Sequence, residues 1–221
     1  MALHLHELPR VIRAMFEEAI IQEICVLPSV SEVLCAPKPV ILSAPIPFHV
    51  LDLEEFSYLI TQTLHGEGLR WREPTGWRFL LMRKNAMPHT AVGYADVALD
   101  LESNSAQFLQ VSCGQGAFWM AQAIEQAEGT SEVKAKDFDL SILEIPALSL
   151  DALWLQGHAS GGSFLVPLRP AYHDLNAAQL YPAADLLKRL YEVAVNQPRM
   201  NNAPWDEPTD PLPASEQVYQ I

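Results

Sequence analysis

Strand-like segments in this chain come in pairs joined by connections too short to carry a crossover, which restricts any sheet they build to mainly antiparallel pairing. Leu69 to Arg72 and Trp77 to Lys84 flank a Glu-Pro-Thr-Gly sequence in which Pro74 suits the second position of a turn and Gly76 can take positive φ. Val92 to Leu101 and Ala106 to Ser112 flank Glu-Ser-Asn-Ser, and Leu148 to Gln156 and Phe164 to Arg169 flank the glycine-rich stretch from Gly157 to Ser163. Three hairpins are therefore predicted. Phe138 to Ile145 reads as one more strand, and Val40 to Leu42 as an edge strand in a proline-punctuated passage.

Helical periodicity governs the remaining segments. Leu8 to Ile24 places Leu8, Val11, Ile12, Met15, Phe16, Ala19, Ile20 and Ile24 on one stripe, with Pro9 tolerated in the first turn. Ser29 to Cys35 is compatible with a short helical turn. Asp52 and Glu55 have capping-box spacing ahead of a helix from Leu53 to His65, which Gly66 and Gly68 end. A central helix is expected from about Ala117 to Ala127, and a closing one opens near Pro182 and buries Leu186, Leu187, Leu190, Tyr191 and Ala194. The fold class is α+β: a mainly antiparallel sheet built from three hairpins, packed with N-terminal, central and C-terminal helices. Residues 1–197 form one domain. Residues 198–221 carry Pro198, Pro204, Pro208, Pro211 and Pro213 with no basic residue after Arg199, and read as an acidic tail that wraps along its own domain or docks on a partner.

Composition narrows the function classes. With 49% apolar residues in 221, the chain can bury a sizeable core. Its formal charge of -13 repels phosphate backbones and anionic lipid, so nucleic acid is not expected as a partner. The one basic concentration, Arg70, Arg72, Arg78, Arg83 and Lys84, alternates with apolar residues and reads as a solvated face of the sheet. No apolar run approaches the roughly 20 residues of a membrane span, and the first residues do not have the pattern of a secretory signal. The expected compartment is the cytoplasm. Three cysteines without paired spacing, Cys25, Cys35 and Cys113, suit a reducing environment.

Chemistry concentrates in one place, where the stretch Phe108 to Glu125 runs from an apolar strand through Cys113, Gly114 and Gly116 into an amphipathic helix. A thiol at a helix N-terminus is expected to have a lowered pKa. Cys113 as nucleophile, His158 as base and Asn176 or Asp174 as its orienting group follow the chain order of papain-like and related thiol hydrolases. The words Cys-Gly and Ala-Phe-Trp resemble the papain family's neighbourhood of the active cysteine over about ten residues, without that motif's second cysteine and with strands ahead of it instead of a helix. The amides of Gly114 and Gly116 could instead receive an anion, although the further glycine or lysine of the nucleotide fingerprints is missing. His4 and His6, with Glu7, are too few for a closed zinc site, so no metal is expected. Asp96 and Asp100 share a strand face with Tyr94 and read as solvated. No cofactor is expected.

The heaviest apolar load lies in the third hairpin. If only one of its faces is covered by the chain's own helices, the other is a docking surface, with Trp154, Phe164 and Val166 presented there and Trp205 in the tail as a further anchor. The leading expectation is a cytoplasmic accessory or protein-interaction domain acting through that hairpin and the tail, with a protein partner or a second copy of itself. The alternative is a cysteine-dependent hydrolase or transferase built on Cys113.

Overall fold

Strands that are apolar at both odd and even positions leave a sheet no wet face, and here each face is covered by helices. The computed structural model describes residues 3–5, 8–26, 40–64, 73–83, 91–100, 105–157, 162–168, 175–196 and 217–220. In chain order these form β1 (Leu3–His4), α1 (Arg10–Val26), β2 (Val40–Leu42), β3 (Ile46–Val50), α2 (Leu53–Leu64), β4 (Gly76–Arg83), β5 (Ala91–Asp100) and β6 (Ser105–Cys113). There follow α3 (Gln115–Gly129), α4 (Ser131–Lys134), β7 (Phe138–Ile145), β8 (Leu150–Gly157), β9 (Ser163–Pro167), β10 (Tyr181–Pro182), α5 (Ala183–Asn196) and β11 (Gln217–Gln220). The fold is α+β, with one large, mostly antiparallel sheet. No helix among the described residues is long and apolar enough to cross a membrane.

The sheet has the order β10-β9-β8-β7-β3-β4-β5-β6-β11, with β1 added to β7 and β2 to β4. Two antiparallel blocks, β4 to β6 and β7 to β10, meet at β3, which is antiparallel to β4 and parallel to β7. The expected edge strand Val40 to Leu42 is β2, paired with Leu81 to Arg83. Of the first expected hairpin, Leu69 to Arg72 lies outside the described residues, and its second strand is β4, which has β5 on one edge and β2 with β3 on the other. Ile46 to Val50 was not expected as a strand, because Pro47 argues against a central position. Its proline sits immediately before Phe48, where the β3–β7 ladder begins, so no bond of that ladder is lost. The helical turn expected at Ser29 to Cys35 also falls outside the described residues.

Strand parity assigns the core. On one face Leu80, Leu140, Ile142, Leu153, Leu155 and Val166 pack beneath Ala117, Met120, Ala123 and Ala127 of α3. On the other, Leu143, Ile145, Ala152, Trp154 and Leu165 pack beneath Phe56 and Ile60 of α2 and Leu186, Leu187 and Leu190 of α5. That second face continues over the first block, where Phe79, Leu81, Ala95, Val97 and Val111 meet Phe16 and Ile20 of α1. The α2 start is held as its spacing predicts: Glu55 N–H donates to Asp52 Oδ1 at 2.7 Å and Asp52 N–H to Glu55 Oε2 at 3.4 Å.

His49 lies on the second face opposite Leu143 in the ladder, buried, its ring edge-on to Trp154 at 6.1 Å between centroids. Burial lowers its pKa from 6.5 to about 4. A base depressed in this way contributes stability that is fully present above the unfolded value and is lost as pH falls through the folded one. In urea unfolding followed at pH 7 and at pH 4, the advantage of the natural chain over His49→Gln should shrink by up to about 3 kcal/mol. A pH-independent difference would show that His49 titrates alike folded and unfolded.

Candidate functional site

Four features converge on β6: the Cys113–Gly114 elbow at its end, a buried charge cluster reaching it across the sheet, its bulge, and the C-terminal strand along its outer edge. The register assigns each of them.

Cys113 stands opposite Gly93 and two positions from Val111, which belongs to the core beneath α1. Its half-buried thiol packs against that same core, on the face of the sheet opposite to α3. The helix that follows Cys113 in sequence therefore covers the other side, and its N-terminus does not activate the thiol. Burial pushes the Cys113 pKa up, the reverse of the lowering expected from the helix N-terminus. Gly93 provides the thiol's seat, since a Cβ there would lie 3.3 Å from Sγ and 2.5 Å from the Ser112 carbonyl oxygen.

The elbow needs its first glycine for backbone reasons. Gly114 has φ 152 and ψ -166, a conformation essentially restricted to glycine. Its N–H donates to the Val92 carbonyl at 3.2 Å, so that amide is committed to the sheet and not held open for an anion. Gly116 falls within the first turn of α3, with open space where a Cβ would stand.

Of the remaining proposed catalytic residues, Asn176 is described and does not lie beside the thiol. Asn176 is exposed near the opposite edge of the sheet, its backbone N–H donating to the Tyr181 hydroxyl at 3.1 Å and its side-chain amide to Gln179 at 2.9 Å. His158 and Asp174 lie outside the described residues. Among the interaction residues, Trp154 and Val166 are 3% and 0% exposed, inside the core on opposite faces of the hairpin. This corrects the expectation of a hairpin with one free face: the chain's own helices cover both. Phe164 is half-buried, edge-on to Phe138 at 5.8 Å, and Trp205 lies outside the described residues.

The charge cluster was misread from sequence. Arg78, expected on a solvated basic face, and Asp96, expected in solvent, are 3% and 1% exposed. They face each other across β4 and β5 in a two-pronged pair: Arg78 Nε donates to Asp96 Oδ1 and a terminal guanidinium nitrogen to Oδ2, both at 2.7 Å. The same terminal nitrogen meets Glu144 of β7 at 2.8 Å, and Gln110 of β6 donates its amide to Asp96 Oδ2 at 2.7 Å. The guanidinium lies 3.9 Å from the Tyr94 ring centroid and 5.5 Å from that of Phe48. Phe48 can lie that close because β4 offers Gly76, where a Cβ would come within 2.8 Å of the ring.

Electrostatics make the cluster unequal. Burial works against the Arg78 cation, but the hydrogen bond and charge of Asp96, with Glu144 and Tyr94, more than offset it and its pKa is raised. Burial raises the pKa of Glu144, Arg78 opposing and Asp151 adding to the rise. Asp151, opposite Glu144 in the β7–β8 ladder, is raised by the surrounding protein as well, again opposed by Arg78. A signal for this was present in the sequence: a charge in a strand apolar at both parities has no wet face to turn to. Among the described residues no group of three or more His, Cys, Asp or Glu is placed to hold a metal ion.

The outer edge of β6 carries β11. Gln217, Val218, Tyr219 and Gln220 pair antiparallel with Cys113, Ser112, Val111 and Gln110. The residue that anchors β6 to the charge cluster, Gln110, is thus also the last residue paired with the C-terminal strand. No protein-family model matches the chain, and no curated protein or solved structure matches it either.

Two measurements follow. Arg78→Met leaves the Asp96 carboxylate buried with its cation gone, and should cost about 3–5 kcal/mol in urea unfolding, partly recovered by adding Asp96→Asn. Iodoacetamide labelling of Cys113, followed by peptide mass spectrometry to separate it from Cys25 and Cys35, should be slower at neutral pH than for a free thiol, with a midpoint above the ordinary cysteine value. A fast-reacting thiol at pH 7 would restore Cys113 as a nucleophile.

Proposed function

We propose that this chain is a protein-interaction domain that works by adding a strand at the β6 edge, a place its own C-terminal strand occupies when no other strand does. The observation that carries the reading is the antiparallel seat of Gln217 to Gln220 on Gln110 to Cys113. Strand addition uses main-chain hydrogen bonds for affinity and leaves side chains to set preference. A sheet whose two faces are both under helices has its edges left for such contacts, and exposed edges are where strands from other chains add.

The edge is longer than its occupant. β6 runs from Ser105 to Cys113, and among the described residues no strand lies along the outer side of Ser105 to Leu109. A partner strand can begin there and advance along the ladder as β11 leaves. The occupant is displaceable because each ladder bond contributes only about 1 kcal/mol net, so four paired residues hold by a few kcal/mol before the cost of ordering them. The tail's part in the interaction is thus to compete for the edge. The heavily apolar hairpin of β8 and β9 supports the scaffold from inside.

The test uses the full chain. Val218→Pro with Tyr219→Pro removes two N–H groups of β11 and should release it. Hydrogen exchange at the amides of residues 110–113 should then speed up by tenfold or more, while β4 and β5 stay protected. A synthetic peptide of residues 213–221 added in excess should restore the protection, with chemical-shift changes confined to the β6 edge. Unchanged exchange in the double variant, or a peptide that leaves these amides untouched, rules out strand addition at this edge.

A further inference from the structure

We infer that two copies of this chain exchange their Gln217–Gln220 strands, each completing the β6 edge of the other in a two-fold symmetric dimer. This rests on the reading that the β6 edge accepts a strand, and it names the strand's source. Exchange re-forms the same four paired positions between chains that β11 makes within one, so the dimer requires no surface that the monomer lacks. What separates the two states is the connection between α5 and β11.

The two elements it joins lie on different parts of the sheet. Phe56 of α2 and Tyr191 of α5 are 6.4 Å apart between ring centroids, and the α2–α5 pair packs over β7, β8 and β9. From β7 the order runs through β3, β4, β5 and β6 to β11, five spacings, or about 24 Å along the sheet. Asn196 ends α5 and Gln217 begins β11, so 20 residues lie between them. A segment of this length can extend to roughly 70 Å. It therefore reaches its own β6 edge and, equally, that of a neighbour. At its own edge the strand acts at an effective concentration on the order of mM, which keeps the intact chain monomeric at μM concentrations. Shortening the connection below the span removes the intramolecular choice and leaves the intermolecular one.

Charge acts in the same balance. Two chains each carrying -13 repel one another on approach. The connection and strand together hold Asp206, Glu207, Asp210 and Glu216 against a single Arg199. Exchange is accordingly promoted by salt, which screens repulsion between exposed charges.

Deleting residues 198–213 leaves four residues between Asn196 and Gln217, reaching at most about 18 Å, less than the distance from the α2–α5 pair to the edge. The experiment is light scattering after size exclusion on this variant, with circular dichroism to establish that it folds. The expected result is a dimer at μM concentration, its fraction rising with sodium chloride between 20 and 500 mM, and a return to monomer when Val218→Pro and Tyr219→Pro are added. The intact chain, measured by sedimentation at concentrations approaching 1 mM, should show the same dimer as a minor species and provides the reading if the deletion variant does not fold. A folded deletion variant that stays monomeric, or an intact chain monomeric throughout, overturns exchange between copies. If the peptide of residues 213–221 nonetheless protects the β6 edge, strand addition stands and only the second copy as its source is lost; if the peptide fails too, both fall.

Discussion

Arg78 is the interaction on which the two halves of this sheet depend. It sits on β4, in the block of strands that runs to β6, yet it meets Glu144 on β7, in the block that runs to β10. Between them lies β3, which is parallel to β7 and antiparallel to β4, and Phe48 on β3 flanks the guanidinium. A cation taken fully out of water is stable only if its donors are met. Asp96, Glu144 and two aromatic rings meet them from three different strands beside its own. The geometry is narrowly specified, because a register slip of one residue on β4, β5 or β7 would turn a charge to the wrong face. The cluster thus specifies which strands lie together and in what register, whatever its net contribution to stability.

Parity settles the chemistry of the elbow in the same way. Cys113 and Ser112 are neighbours in sequence, but Ser112 opposes Tyr94 on the face with Arg78 while Cys113 turns to the face beneath α1. A helix N-terminus lowers a thiol's pKa only when the sulfur lies within reach of its first-turn amides. The strand-to-helix transition here sends the helix over one face and leaves the thiol on the other. Burial is then the dominant influence on Cys113, and it acts toward the neutral thiol.

Much of the architecture was legible in the chain. Helix positions follow from apolar spacing of 3.6 and a capping box, and β5, β6, β7, β8 and β9 from alternation and apolar runs. These are local signals, carried by residues within a turn or two of each other. What was not legible is non-local. Pro47 disguised β3 because the consequence of a missing N–H depends on where the neighbouring ladder starts. Arg78 and Asp96 looked solvated because their alternation with apolar residues is also the pattern of a half-exposed strand. Only the presence of helices on both faces distinguishes the two situations, and that is a property of the assembled layers. The same layers account for Trp154 and Val166: an apolar hairpin looks alike whether it is presented to a partner or enclosed.

The C-terminal strand was the least legible element, four residues following a proline-rich stretch, and its placement changes what the rest of the sheet implies. A large antiparallel sheet under helices has only its edges for main-chain recognition, and the two edges here are unequal. At one, β10 contributes two residues and β9 ends in Pro167, so few N–H groups are offered. At the other, β6 is nine residues long with no proline. Such an edge recruits strands indiscriminately unless it is filled. Filling it from within, by a segment tethered through 20 residues, provides protection with a low barrier to replacement. Under the proposed strand addition, a covalent neighbour at effective mM concentration would outcompete adventitious edges and yield to a strand that pairs over more of β6 than four residues. The internal link from Gln110 through Asp96 to Arg78 ties that edge to the buried charge cluster, beside the bulge at Leu109, whichever strand sits on it.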